Sequence, residues 1–196
     1  MKTKRAAIGI KTRTGRAIAV ALSGPASSPA FICREEVALS DAAVPATMQP
    51  YHEVMELPWS ESQVAVQPAI AAIDEIAAQS LRRLIDSIES RGYEVACVGI
   101  VGPADRKLER IGNPHIRAHA AEGVLFRRVV ETAARANNRT ARAFADPSIE
   151  LKRPAREVKH VLTVLGEAAG SPWRAEEKSA AMAAWIILTQ RRSSAR

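Results

Sequence analysis

Aromatic side chains are scarce: three Trp, three Phe and two Tyr make up 4% of 196 residues. So few rings argue against a single-strand binder built on stacked aromatic platforms. Cysteine is rarer still. Cys33 and Cys97 each stand inside an apolar run, which reads as two buried thiols in a reducing compartment rather than a disulfide or a metal pair. Long hydrophobic runs are missing too. The longest apolar stretch, 180–188, is too short for a bilayer, which needs about 20 residues. Residues 6–10, behind the first charges, are too short for a secretory h-region. The expectation is a cytoplasmic protein with no membrane partner. No GxSxG, Walker A or paired CxxC motif occurs, so nothing indicates a Ser or Cys nucleophile, and no cofactor is implied.

What is present is ordinary for a globular chain: 47% apolar and 25% charged residues, with 10 Gly and 11 Pro. The length fits one domain over 1–196 with a sizeable core. The formal charge is +7, from 28 basic and 21 acidic residues, but it is concentrated. Lys2, Lys4, Arg5, Lys11, Arg13 and Arg16 open the chain, and Arg191, Arg192 and Arg196 close it. Without those nine the body holds 19 bases against 21 acids. Within it, 41–94 holds nine acids and three bases, whereas 105–142 holds nine bases and four acids. The chain is polarised, so its net charge is weak support for nucleic acid binding.

Residues 5–10 and 16–23 are short β-branched runs with Gly15 in the turn between them, which predicts a hairpin. Residues 31–39 read as a third strand. Pro45, Pro50, Pro58 and Pro68 mark 41–68 as an irregular excursion. Ile70, Ile73, Ile76, Leu81, Leu84, Ile85 and Ile88 recur at helical spacing up to Gly92. The apolar run 94–101 fits a strand covered on both faces. Asn113-Pro114 opens a helix to about Asn137. Residues 140–146 form a short strand, and helices follow at about 154–169 and 174–191. The order βββαβαβαα predicts an α/β fold with a mixed sheet covered by helices.

Four local sequences refine this. Gly9-Ile10-Lys11 ends the first strand before a turn closing at Gly15. Ala120-Ala121-Glu122-Gly123-Val124 gives the middle helix a small-residue pattern. Asp146-Pro147 leads to Lys152 after the last strand, and Glu177-Lys178-Ser179-Ala180-Ala181-Met182-Ala183 opens the closing helix. In this order they resemble the ribonuclease H-like superfamily, in particular its Holliday-junction resolvase (RuvC-type) branch. The resemblance implies a ribonuclease H-like mixed sheet. It also implies two divalent ions clamped by carboxylates from the first strand, the fourth strand and the last helix.

This chain departs from that pattern at the acids. Lys11 stands at the first-strand Asp position, where a cation repels a metal. Val98-Gly99-Ile100-Val101-Gly102 offers no acid, and one acid of the last helix falls near Ala180. Glu177 and Asp146 are the catalytic candidates left, and Asp146 is read more simply as an Asp-Pro turn. The expectation is a degenerate site without two-metal nuclease activity.

Two other constellations stand out. Actin-like and sugar-kinase proteins cradle phosphates in a related hairpin; Lys11, Thr12, Arg13, Thr14 and Gly15 suit a phosphate or nucleic-acid contact. A solvated basic turn is the simpler reading. His115, His119 and Glu122 share one helix face, as zinc ligands do, but Ile116, Phe126 and Val130 place His119 among apolar residues, which favours a packed core histidine. His52 and His160 show no partner in the sequence. Trp185 reads as core and Trp59 as an exposed contact. The functional expectation is a binding or scaffold protein. It contacts nucleic acid through the basic N-terminal residues and the arginines of 106–142. The alternative is a phosphate-handling or metal-dependent enzyme. A separate third reading is a homo-oligomer in which the acidic 41–94 and basic 105–142 segments meet between subunits.

Overall fold

A computed structural model describes residues 3–190; Lys2, Arg191, Arg192 and Arg196 lie outside the described residues. The first hairpin forms as expected, but its first strand is longer. β1 (Lys4–Arg13) and β2 (Arg16–Ser23) pair antiparallel around Gly15, whose φ of 74° suits glycine. β1 reaches Arg13 because it is central: β2 flanks it on one side, and β4 (Tyr93–Val101) runs parallel to it on the other. β3 (Ala30–Ala38) pairs antiparallel with β2, and β5 (Thr140–Phe144) runs parallel to β4. The sheet order is β3-β2-β1-β4-β5. β3 is an edge strand that exposes Glu35 and Glu36. Its Arg34 donates to the carbonyls of Gly170, Ser171 and Pro172, tying it to the turn before the last helix.

The excursion at 41–68 is not irregular. It holds a 3₁₀ turn (Pro45–Thr47) and two short helices, α1 (Pro50–Glu53) and α2 (Trp59–Ala65), which lead into α3 (Gln67–Glu89). The prolines that suggested a loop are helix starters. Pro45, Pro50 and Pro68 sit in first turns and Pro58 at the N-cap, where a missing N–H leaves no bond unmade.

Two layers of helix cover the sheet. α3 and α4 (Pro114–Ala136) lie on one face over Ile8, Ile10, Val98 and Ile100. α4 starts as read, with the Asn113 side chain accepting from the Ile116 N–H at 3.0 Å. The acidic α3 and the basic α4 thus meet within one chain, and Arg139 pairs with Glu89 at 2.8 Å.

On the other face α7 (Ala175–Thr189) crosses β1 and β4 through Ala180, Ala183 and Ala184. It lies so close that Gly9 has no room for a side chain beneath it, and Gly99, its register partner in β4, only a tight fit. Trp185 is fully buried there, and its indole N–H donates to the Ala26 carbonyl at 2.7 Å, so its core reading holds. α5 (Pro147–Glu150), capped by Asp146, and α6 (Ala155–Ala169) complete this layer. Both cysteines are free; Cys33 is buried, which pushes its thiol pKa up, whereas Cys97 is half-buried rather than buried as expected. No helix among the described residues is long and apolar enough to cross a membrane.

Candidate functional site

The carboxyl ends of β1 and β5 bring together Lys11 and Asp146, which sequence reading singled out, with Glu176 of α7, which it did not, at the end of a sheet where open α/β folds commonly place function. Lys11, beside Val101 in register, points to the α7 face two residues beyond Gly9. It is half-buried and within electrostatic reach of Arg13, Glu176 and Asp146. Burial, reinforced by Arg13, lowers its ammonium pKa against the pull of the two carboxylates.

Each carboxylate is already engaged. The Asp146 carboxylate accepts from the Ser148 hydroxyl at 2.7 Å and the Ser148 N–H at 2.8 Å. These bonds, with Lys11 nearby, hold it below the usual carboxylate range. Asp146 is therefore the turn and cap residue of the simpler reading. Glu176 binds Arg13 Nε through one oxygen and Arg16 through the other at 3.4 Å. Its burial favours the neutral acid, but the two arginines outweigh that and hold it below its ordinary value.

Glu177, the expected candidate, faces elsewhere. It is buried, and its carboxylate accepts from the Arg174 N–H at 2.8 Å, capping α7. One step along the first turn exchanged a capping residue for the one facing Lys11. The proposed phosphate turn is also redistributed. Thr12 is buried, and its hydroxyl donates to the Val101 carbonyl at 3.1 Å. Gly15 is covered, its carbonyl accepting from the Leu39 N–H and the Ser40 hydroxyl. Only Arg13 and Thr14 of the five are exposed, with Lys11 partly so.

No family model and no curated protein sequence matches the chain. Among solved structures, it is similar over 92% of its length to Thermus thermophilus RuvC, with a TM-score of 0.48, 12% identity and 91% of that chain covered. It is similar over the same share to T. thermophilus RuvC in complex with a Holliday junction substrate, with a TM-score of 0.49, 11% identity and 90% coverage. The order β3-β2-β1-β4-β5, antiparallel in its first three strands and parallel across β1, β4 and β5, is the mixed sheet the sequence led us to expect. The fold is α/β, a mixed five-stranded sheet with helices on both faces.

The two-metal cluster that the sequence resemblance implied does not fit the residues here. Two hard cations need several anionic oxygens free to ligate. At this end one lysine occupies the central strand, Asp146 is bound to Ser148, and Glu176 is shared by two arginines. The loop 102–113 is tied to α4 through Asp105, which pairs with Arg127 and Arg128, and carries exposed Arg106, Lys107 and Arg110 without carboxylate partners among the described residues.

The histidines on α4 are not core. His115 and His119 are exposed, because Ile116, counted as apolar-face, is itself 57% exposed. The buried stripe runs instead through Ala118, Ala121, Leu125 and Val129. Glu122 is fully buried and binds His52 of α1 at 2.8 Å. The His52 ring packs edge-on against both α4 histidines, with centroids 5.1 Å from His115 and 4.3 Å from His119. Sequence reading missed His52 because it lies more than sixty residues upstream. Trp59 is half-buried rather than exposed, stacked on Tyr51 at 5.5 Å beneath the Arg117 guanidinium.

Proposed function

We propose that this chain is a ribonuclease H-like binding protein without two-metal nuclease activity, which contacts nucleic acid phosphates through the carboxyl end of its sheet. The observation that carries the reading is Lys11, a half-buried cation on the central strand, with both neighbouring carboxylates already bound. Such a cluster repels divalent ions. Exposed Arg13 beside it, and exposed Arg106, Lys107 and Arg110 on the loop after β4, which Asp105 ties to α4, suit phosphate oxygens.

Titration of labelled duplex and four-way-junction DNA tests this at two salt concentrations. With four phosphate contacts, affinity should fall on the order of a hundredfold between 50 and 200 mM salt. Affinity that ignores salt would remove the phosphate contacts from the reading. Mg²⁺-dependent strand cleavage abolished by Glu176→Ala would overturn the claim that it lacks nuclease chemistry.

A further inference from the structure

We propose that His52, His115 and His119 form a Zn²⁺ site, with Glu122 fixing His52 from behind. One ring nitrogen from each histidine lies within 4.8 Å of the others. His115 and His119, one turn apart on α4, bring their Nε2 atoms to 3.2 Å. That is close to the edge of a zinc tetrahedron with Zn–N bonds of about 2.0–2.1 Å.

The His52 side of the cluster resembles a metal site's outer shell. Its Nδ1 lies 2.8 Å from Glu122 Oε1, and its backbone N–H donates to the same oxygen at 3.3 Å. A metal-ligating histidine commonly gives its second ring nitrogen to a carboxylate in this way, fixing tautomer and ring orientation. With Nδ1 so held, Nε2 is the free ligand atom. It is shielded from solvent and has no hydrogen-bond partner among the described residues, and neither does Glu122 Oε2. Leaving two polar atoms buried and unbonded is costly. A divalent ion on His52 Nε2 would satisfy one and balance the charge of the other.

The donor set selects the metal. Three imidazoles suit zinc and its neighbours, not Mg²⁺ or Ca²⁺, which take oxygen. The described residues supply three ligands, and His115 and His119 face solvent. The fourth position therefore falls to water or another exchangeable ligand, the open arrangement of zinc sites that do more than hold a fold. The ion would also pin α1 to α4. This site rests on none of the residues of the basic sheet end.

The test is titration of the full chain, after chelator treatment, with Co²⁺ followed by Zn²⁺. One equivalent should bind, with the visible bands of a four-coordinate nitrogen site, and Zn²⁺ should displace it. His119→Ala should abolish the bands. Glu122→Gln should weaken Zn²⁺ binding about 10–100-fold. His115→Ala, on an exposed helix surface, should do what His119→Ala does while keeping the parent's circular dichroism. No binding at micromolar metal, or undiminished binding in folded His115→Ala, would overturn the site.

Discussion

A β-carbon placed on Gly9 would lie 1.9 Å from the carbonyl oxygen of Ala180. That oxygen belongs to helix backbone, so it cannot swing aside as a side chain could. Gly9→Ala must push α7 off β1. We expect a loss of more than about 3 kcal/mol, at the severe end for a single overpacking methyl. At Gly99 the nearest atoms are 3.1 Å away, so Gly99→Ala should cost less. Urea midpoints of the two variants check the ranking; equal midpoints would mean that α7 sits farther out than described.

Glu176 makes a pH prediction. Arg13 and Arg16 lower its folded-state pKa. It therefore adds stability above its unfolded pKa, which is lost as pH falls through the folded value. Glu176→Gln should be less stable than the parent at pH 7 by at most about 1 kcal/mol, since the pair is partly solvated and screened. The two proteins should converge in strong acid. A difference that persists there would show that packing, not charge, is what Glu176 supplies.

Lys11 gives a test by restoration. Lys11→Asp would set a third carboxylate beside Asp146 and Glu176 and remove the repelling cation. Mg²⁺ should then raise the melting temperature of the variant while leaving the parent unchanged. Thermal melts with and without millimolar Mg²⁺ decide it. A parent stabilised equally by Mg²⁺ would show that the cluster accepts the ion despite Lys11.

Arg106, Lys107 and Arg110 are exposed and leave the chain at the β4–α4 connection. Replacing all three by Ala should lower the salt slope of DNA binding by about three, roughly one per lost phosphate contact. Folding stability should stay within about 0.5 kcal/mol per site. A slope that does not move places the DNA elsewhere on the surface.

Much of the fold was legible because its signals are local. Asn113-Pro114 caps α4 through the Asn113 side chain as its residue types require, and Gly15 sets the hairpin. The prolines of 41–68 misled because the same missing N–H that breaks a helix interior is harmless in its first turn. The candidate site was legible only in part. Lys11 and Asp146 could be placed from strand ends, but choosing between Glu176 and Glu177 needs the helix phase relative to its cap, a difference of one residue. Thr12 and Arg13 divided between the two faces of β1, which the composition of a basic turn does not reveal. The three-histidine cluster was out of reach, because His52 joins α4 only through the packing of α1 on it.

The charges of β3 have a consequence for how copies of this chain can associate. Glu35 and Glu36 are exposed on a strand that closes one end of the sheet, and Arg34 fastens that strand to the turn before α7. A charged, tethered border resists the addition of a foreign strand. Growth by extending the sheet from that border, the route to fibres and swapped dimers, is disfavoured.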